Sequence, residues 1–109
     1  TNYLGVEDMA AFINHTAGGY LFYKTPEYHR ISRFRGNGVP MDRPGFYVYI
    51  RDNEKKDYHS ISWQPVAKDL SKAKYRCRHG LSYTVYESEY DGLASSQTMV
   101  IPRGENVLL

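Results

Sequence analysis

The sequence feature that most constrains the fold is a pair of alternating segments that flank Asp91-Gly92, within residues 81–101. An Asp-Gly pair in this setting is typical of a type I′ turn, which needs positive φ at both central residues. Such a turn fixes the register of a hairpin and predicts three facing pairs: Tyr90 with Leu93, Tyr86 with Gln97, and Tyr83 with Val100. One set of alternating residues is expected to form the inner face: Leu81, Tyr83, Val85, Thr98 and Val100.

Further strand-length segments recur along the chain, separated by glycine, proline and charged residues. Alternation or strand-favouring composition predicts strands at residues 20–24, 28–35, 46–51, 58–63, 73–79 and 106–109. Residues 36–45 are predicted to form a loop. Residues 5–14 are predicted to form a short helical turn leading into a strand, since Glu7 and Asp8 suit a helix start. Seven or eight short strands with little helix indicate an all-β fold, an antiparallel β-sandwich.

Size and charge exclude several classes of protein. With 109 residues the chain is at most one domain, and its first and last residues suggest part of a longer protein, so residues 1–109 are expected to be a partial sandwich domain. A net charge of +2 is too small to imply a nucleic-acid partner. No apolar run is long enough to span a membrane. One cysteine, Cys77, permits no intrachain disulfide and favours a cytoplasmic setting.

No motif in the chain predicts catalysis or metal binding. The four histidines (His15, His29, His59 and His79) do not pair with one another or with Cys77 at metal-ligand spacings. Gly36-Asn37-Gly38 lacks the third glycine and the helix of a dinucleotide site. Cys77 lies between Arg76 and Arg78, but alternation places both arginines on the opposite strand face, so a buried, inert thiol is expected. We therefore assign no catalytic residue and no metal ligand.

Arginine and aromatic residues are concentrated between residues 20 and 51. Such a combination binds phosphate, sugar or single-stranded nucleic acid, and it also joins loops to a partner domain. The structural interpretation is favoured. A carbohydrate-binding module, with Trp63, Tyr47 and Tyr49 as stacking platforms, is the alternative. A single-stranded nucleic-acid binder that uses Arg30, Arg33 and Arg35 is a third, and the small net charge argues against it.

Several segments resemble a known family. Asn2-Tyr3-Leu4-Gly5 and residues 14–24 (NHTAGGYLFYK) resemble the start of the N-terminal domain of cellobiose and cellodextrin phosphorylases, in glycoside hydrolase family 94. The similarity continues in order through residues 30–35, 39–42, 46–52, 63–66, 77–84 and 101–102. Residues 33–38 (RFRGNG) and 43–46 (RPGF) look more like the cellodextrin enzymes, while chitobiose, laminaribiose and cellobionic-acid phosphorylases are related.

The resemblance implies a non-catalytic N-terminal portion of an inverting β-glucoside phosphorylase. Such an enzyme converts a β-glucan oligosaccharide and inorganic phosphate to α-glucose 1-phosphate and a shortened glucan. Phosphate is the nucleophile, so one carboxylic acid suffices, and in the family it lies in a helical barrel outside this chain. The resemblance further implies no cofactor beyond phosphate as co-substrate, a homodimer, and a contribution of this domain to the dimer interface and to the active-site rim.

If any residues here touch substrate, we expect them around the loop that spans residues 35–43. The candidates for the substrate rim are Arg35, Asn37, Arg43 and Tyr47. No residue of the chain is expected to be catalytic.

Overall fold

The computed structural model describes residues 1–33 and 44–109, and it folds them into eight β-strands without a helix. The strands are β1 (Asn2–Val6), β2 (Met9–Ile13), β3 (Gly19–Tyr23), β4 (Tyr49–Asp52), β5 (Asp57–Ser60), β6 (Ala73–His79), β7 (Tyr83–Tyr90) and β8 (Leu93–Val100). They form three antiparallel sheets with the orders β1-β2-β3, β4-β5 and β6-β7-β8. The all-β antiparallel prediction is confirmed. The described residues include no helix that is long and apolar enough to cross a membrane.

The first sheet corrects the prediction of a helical turn at residues 5–14. β1 and β2 instead form a tight hairpin whose turn contains Glu7 with φ of 62°. The apolar run of β2 is not a helical stripe, because Met9, Ala11 and Ile13 enter the core while Phe12 lies on the opposite face against other aromatic rings. An apolar run with both faces covered shows no alternation, so its strand character is hidden in the sequence.

The segments on either side of the undescribed residues 34–43 are less regular than predicted. Residues 46–48 precede β4 rather than belonging to it, and Gly45 forms an isolated bridge with Gly18. Residues 28–33 do not form a strand, and their pairing with β3 is limited to an isolated bridge between Arg30 and Phe22. The rest of the predicted 28–35 strand lies outside the described residues. The predicted partner of β4 is present as β5, which pairs Tyr49 with Ser60 and Asp52 with Asp57.

The third sheet contains the predicted hairpin. All three facing pairs are present, and both Asp91 (φ 52°) and Gly92 (φ 78°) have the positive φ that the turn requires. The predicted inner face is wrong. Leu81, Tyr83 and Thr98 are exposed, and Val85 and Val100 are half-buried, whereas the buried residues are Thr84, Tyr86, Ser88 and Met99. Thr84 and Tyr86 have hydrogen-bond partners inside the fold, which offsets the cost of burying their polar atoms, whereas the Ser88 hydroxyl has no partner among the described residues.

One hydrophobic core joins the sheets. Leu4, Met9, Ala11 and Ile13 of the first sheet pack with Tyr86 and Met99 of the third, together with Ala17, Ile61 and Ile101 from connecting segments. Ile50 of β4 packs against the same cluster. The predicted strand at residues 106–109 is not formed as a strand. Leu109 nevertheless exchanges two backbone hydrogen bonds with Val100, of 2.9 and 3.0 Å, on the outer edge of β8.

Candidate functional site

Three of the four predicted rim residues, Arg35, Asn37 and Arg43, lie outside the described residues. Their prediction is therefore untested. Tyr47 is described and half-buried, and it packs against the hydrophobic core. Its ring also covers Gly45, where an added Cβ would lie 2.6 Å from the ring and 2.5 Å from the main-chain oxygen of Ala17. Tyr47 thus helps to fix the chain just after the predicted rim loop.

The C-terminal flank of that loop is held by the turn around Asn14. The Asn14 side-chain oxygen accepts hydrogen bonds of 2.9 Å from the backbone N–H groups of Thr16 and Gly18. The turn then binds the flank in both directions. Phe46 N–H donates to the oxygen of Ala17 at 2.8 Å, and Gly19 N–H donates to the oxygen of Pro44 at 3.0 Å. Residues 44–46 are therefore positioned by the loop between β2 and β3.

The N-terminal flank is held by β3 itself. Ile31 N–H donates to the oxygen of Leu21 at 2.9 Å, and Leu21 N–H donates to the hydroxyl of Ser32 at 2.7 Å. Tyr23 N–H donates to the oxygen of His29 at 2.9 Å. Both flanks of residues 34–43 are thus hydrogen-bonded to β3 or to the turn that precedes it. The predicted rim loop starts and ends on one short stretch of scaffold.

A polar cluster joins β5, the connection after it and the end of β7. Asp57 accepts a hydrogen bond from Lys68 Nζ at 2.8 Å and another from the Tyr90 hydroxyl. Lys68 Nζ also lies 5.1 Å from the centroid of the Tyr90 ring. The hydrogen bond that Asp57 accepts from Lys68, and after it the one from Tyr90, lower the pKa of Asp57 to about 2. A second ion pair, Lys55 Nζ to Asp91 at 2.7 Å, ties the β4–β5 turn to the β7–β8 turn.

Asp57 and Asp69, the described carboxyl groups with lowered pKa values, do not suit the role of a general acid. A group that protonates a glycosidic oxygen near neutral pH needs a raised pKa. The pKa of Asp57 is lowered, and the pKa of Asp69 is lowered by hydrogen bonds from Ser71. Both groups are carboxylates at neutral pH and accept rather than donate protons.

The structural roles of the four histidines and of Cys77 stay predictions. Over residues 1–33 and 44–109, no cluster of three metal-ligating side chains is present. Cys77 is half-buried, and burial raises the pKa of its thiol. Arg76 and Arg78 are exposed on the opposite strand face, as predicted, and Arg78 pairs with Glu87 at 3.1 Å. Burial thus opposes formation of the thiolate, although the Nε2 atom of His79 lies 3.7 Å from the Cys77 sulfur.

The stacking platform of the alternative hypothesis is only partly present. Tyr49 and Trp63 are exposed, but Tyr47 is packed against the core, and Trp63 Nε1 donates to the main-chain oxygen of Lys68 at 3.2 Å. Four aromatic rings do cluster on the first sheet: Tyr3, Phe12, Tyr20 and Phe22. Phe22 is buried and Tyr3 meets Phe12 edge-on, so the described rings do not form one flat surface.

Sequence reasoning missed the structural role of Asn14 and the Asp57 cluster. For Asn14 a signal existed, because asparagine followed closely by threonine and two glycines is typical of an Asx turn. The sequence contains no comparable signal for the Asp57 cluster. Asp57, Lys68 and Tyr90 lie far apart in sequence, and only the pairing of strands brings them together.

Three antiparallel sheets that share one hydrophobic core define an all-β sandwich-type domain. The whole chain, residues 1–109, matches the family model described as "Glycosyl hydrolase 94, supersandwich domain". The chain belongs to that family, which confirms the resemblance found in the sequence.

Relatives within the family are phosphorylases. An N,N′-diacetylchitobiose phosphorylase of Vibrio proteolyticus is 53% identical over 106 residues, and one of Vibrio furnissii is 51% identical, each over 97% of this chain. A solabiose phosphorylase of Paenibacillus borealis is 32% identical over 92% of the chain. The chain spans 13% of the length of each relative.

Proposed function

We propose that this chain is the non-catalytic N-terminal portion of a phosphorylase that cleaves N,N′-diacetylchitobiose. In the proposed reaction, phosphate attacks the anomeric carbon of the non-reducing sugar and the bond from that carbon to the bridging oxygen breaks. The bridging oxygen takes a proton from an acid outside this chain. With inversion, the products are N-acetyl-α-glucosamine 1-phosphate and N-acetylglucosamine.

The observation that carries this proposal is the identity of 51–53% with two N,N′-diacetylchitobiose phosphorylases, against 32% with the solabiose enzyme. The described part of the chain agrees with a scaffold role. Its lowered carboxyl pKa values do not suit acid catalysis, and its polar side chains mainly hold turns and strands together.

Cellodextrin or cellobiose phosphorolysis is the second candidate. It is supported by residues 33–38 and 43–46, whose sequences resemble the cellodextrin enzymes. A substrate comparison with the full-length protein separates the two candidates. With phosphate present, we expect kcat/KM for N,N′-diacetylchitobiose to exceed that for cellobiose and cellotetraose by at least about tenfold. A preference for either glucan would support the second candidate.

Within the enzyme, the proposed role of residues 34–43 is that of an active-site rim. Both flanks are anchored on the β3 region, which would let the loop reach substrate without moving the scaffold. In the full-length protein, Arg43→Ala is expected to raise KM for the sugar substrate more than it lowers kcat, because it removes a binding contact. Arg103→Ala, at an exposed turn after β8, is the matched control. Kinetics of Arg43→Ala equal to those of the control would contradict the rim role.

The remaining parts of the proposal follow from the resemblance. They are a homodimer to whose interface this domain contributes, and inorganic phosphate as co-substrate without a further cofactor. The proposed cytoplasmic location rests instead on the single cysteine of the chain. Sedimentation of the full-length protein tests the dimer, and a monomer at micromolar concentration would contradict it.

A further inference from the structure

A cleft of about 480 Å³ lies between the β4–β5 hairpin and the turn that joins β7 to β8. This volume falls within the range of about 300–1,000 Å³ that is usual for small-molecule sites. The residues that matter for its chemistry are Ile50, Arg51, Asn53, His59, Tyr90 and Leu93. The ion pair between Lys55 and Asp91 connects the two sides.

His59 is the least expected lining residue. It is 4% exposed, and its Nε2 has no hydrogen-bond partner among the described residues. Its ring lies against Tyr90, with centroids 5.1 Å apart. Burial lowers the pKa of His59, so the ring is neutral at neutral pH and can exchange a hydrogen bond with a hydroxyl group. Because Nε2 has almost no accessible surface, a hydroxyl group in the cleft can supply the missing hydrogen bond only if the ring turns towards it.

The charges around the cleft argue against an anionic ligand. Asp57 is paired with Lys68, and Asp91 is paired with Lys55. The further carboxylates of Asp52 and Glu54 on the rim make the cleft unfavourable for phosphate or another anion. A metal ion is not favoured either, because the described ranges hold no group of three suitable ligands.

Apolar surface accompanies these polar groups. Ile50 is half-buried and Leu93 is 47% exposed, and both line the same cleft beside the Tyr90 ring. Asn53 and Arg51 supply hydrogen-bond donors at its rim. A lining that combines hydrogen-bonding groups with apolar contacts matches a sugar ring, which has polar edges and faces of C–H bonds.

We propose that the cleft between the β4–β5 hairpin and the β7–β8 turn is a binding site for a neutral pyranoside, with the His59 ring turned so that its Nε2 bonds to a sugar hydroxyl. The site needs no phosphate. The choice of N,N′-diacetylchitobiose as the first probe rests on the proposed function, so cellobiose is used as the second probe.

The test uses the full-length protein labelled at isoleucine δ1-methyl groups, with the Ile50 signal assigned through Ile50→Val. Each disaccharide is titrated in the absence of phosphate, so that no phosphorolysis consumes it. We expect the Ile50 methyl signal to shift saturably with at least one of the two sugars, while the signal of Ile101, which is buried in the core, stays in place. An Ile50 signal that does not move up to the solubility limit of both sugars overturns the proposal.

Two variants locate the binding. His59→Phe keeps a buried ring but removes the nitrogen atoms, and Arg51→Ala removes a rim donor without touching the core. We expect each to raise the sugar concentration at half-shift by at least about tenfold, whereas the exposed controls His15→Phe and Arg103→Ala leave it unchanged. Unchanged titrations for both cleft variants overturn the proposal, and Arg51→Ala keeps the test valid should His59→Phe fail to fold.

A phosphorolysis assay on the unlabelled full-length protein separates this inference from the proposed function. Without release of N-acetylglucosamine 1-phosphate the proposed function fails, but a saturable Ile50 shift still supports the cleft. Release of the sugar phosphate with an Ile50 signal that does not move would support the proposed function and overturn the proposed sugar site in the cleft.

Discussion

The hydroxyl of Tyr86 donates a 2.6 Å hydrogen bond to the main-chain oxygen of Asn14, and it thereby joins the third sheet to the turn that anchors the predicted rim loop. Tyr86 is 1% exposed, so water does not replace this bond. The same burial raises the pKa of its phenol well above the ordinary value, which keeps it protonated as a donor. A residue of the core thus also positions the loop between β2 and β3.

Tyr86→Phe tests this link. The change keeps the ring but removes the donor, and we expect the free energy of unfolding to fall by about 1–2 kcal/mol. Urea unfolding of the 109-residue chain, followed through the fluorescence of its single tryptophan Trp63, measures the loss. Tyr28→Phe, on a side chain that is 77% exposed, is the control and should change stability by less than about 0.5 kcal/mol. Equal effects of the two substitutions would argue against a structural role for the bond.

Two glycines with positive φ should respond very differently to alanine. At Gly19 (φ 155°) a Cβ would lie 1.8 Å from the main-chain oxygen of Phe12, so the β2–β3 pair would have to separate. At Gly92 (φ 78°) a Cβ would meet no atom within 4 Å. We expect Gly19→Ala to cost about 3 kcal/mol or more, and Gly92→Ala to cost about 1 kcal/mol for its backbone conformation alone. Urea unfolding of the two variants measures both costs. A Gly19→Ala chain as stable as the Gly92→Ala chain would refute the close approach of Gly19 to the Phe12 oxygen.

The Asp57 cluster should appear as acid sensitivity. Because the folded pKa of Asp57 is about 2, below the ordinary value of 3.8, its contribution to stability is present above pH 3.8 and is lost as pH falls towards 2. Asp57→Asn lacks this contribution. The difference in unfolding free energy between wild type and Asp57→Asn should therefore be constant above about pH 4 and shrink below it.

A second variant assigns the effect to its cause. Lys68 is the largest source of the lowered pKa of Asp57, so Lys68→Met should reduce the acid-dependent part of the wild-type stability. Urea midpoints between pH 2 and 6 provide the measurement. Parallel curves for wild type and Asp57→Asn over the acid range would show that the cluster does not hold Asp57 ionised.

The thiol of Cys77 is predicted to be unreactive. Burial raises its pKa, and the thiolate is the reactive form, so alkylation by iodoacetamide at pH 8 should be at least about tenfold slower in the folded chain than in urea. Mass spectrometry of the alkylated fraction over time gives both rates. Faster reaction in the folded state would contradict the prediction and would point to activation by the neighbouring His79 ring, 3.7 Å from the sulfur.

The sequence was most informative where turn chemistry fixes register. Asp91-Gly92 determined the β7–β8 pairing to the residue, because few residues other than glycine, asparagine and aspartate adopt positive φ without strain. The alternation of β6 also placed Arg76 and Arg78 correctly on the exposed face. Local rules were sufficient in both segments.

The prediction was wrong where tertiary partners decide burial. The inner face of β7 was assigned to the more apolar residues, yet Thr84 and Ser88 are buried and Tyr83 is exposed. Thr84 accepts a hydrogen bond from Asn2 Nδ2, which lies 82 residues away in sequence, and no local pattern reports that contact. The cleft around His59 was missed for the same reason, since β5 and the β7–β8 turn meet only in the folded chain.

The central claim is that this chain is scaffold in a sugar phosphorylase whose reacting groups lie outside residues 1–109. The most direct measurement compares the full-length protein with the 109-residue chain, each given N,N′-diacetylchitobiose or cellobiose, with and without inorganic phosphate. We predict phosphate-dependent release of a sugar 1-phosphate by the full-length protein, and none by the 109-residue chain. Cleavage by the 109-residue chain alone, or cleavage by the full-length protein that proceeds equally well without phosphate, would contradict the claim.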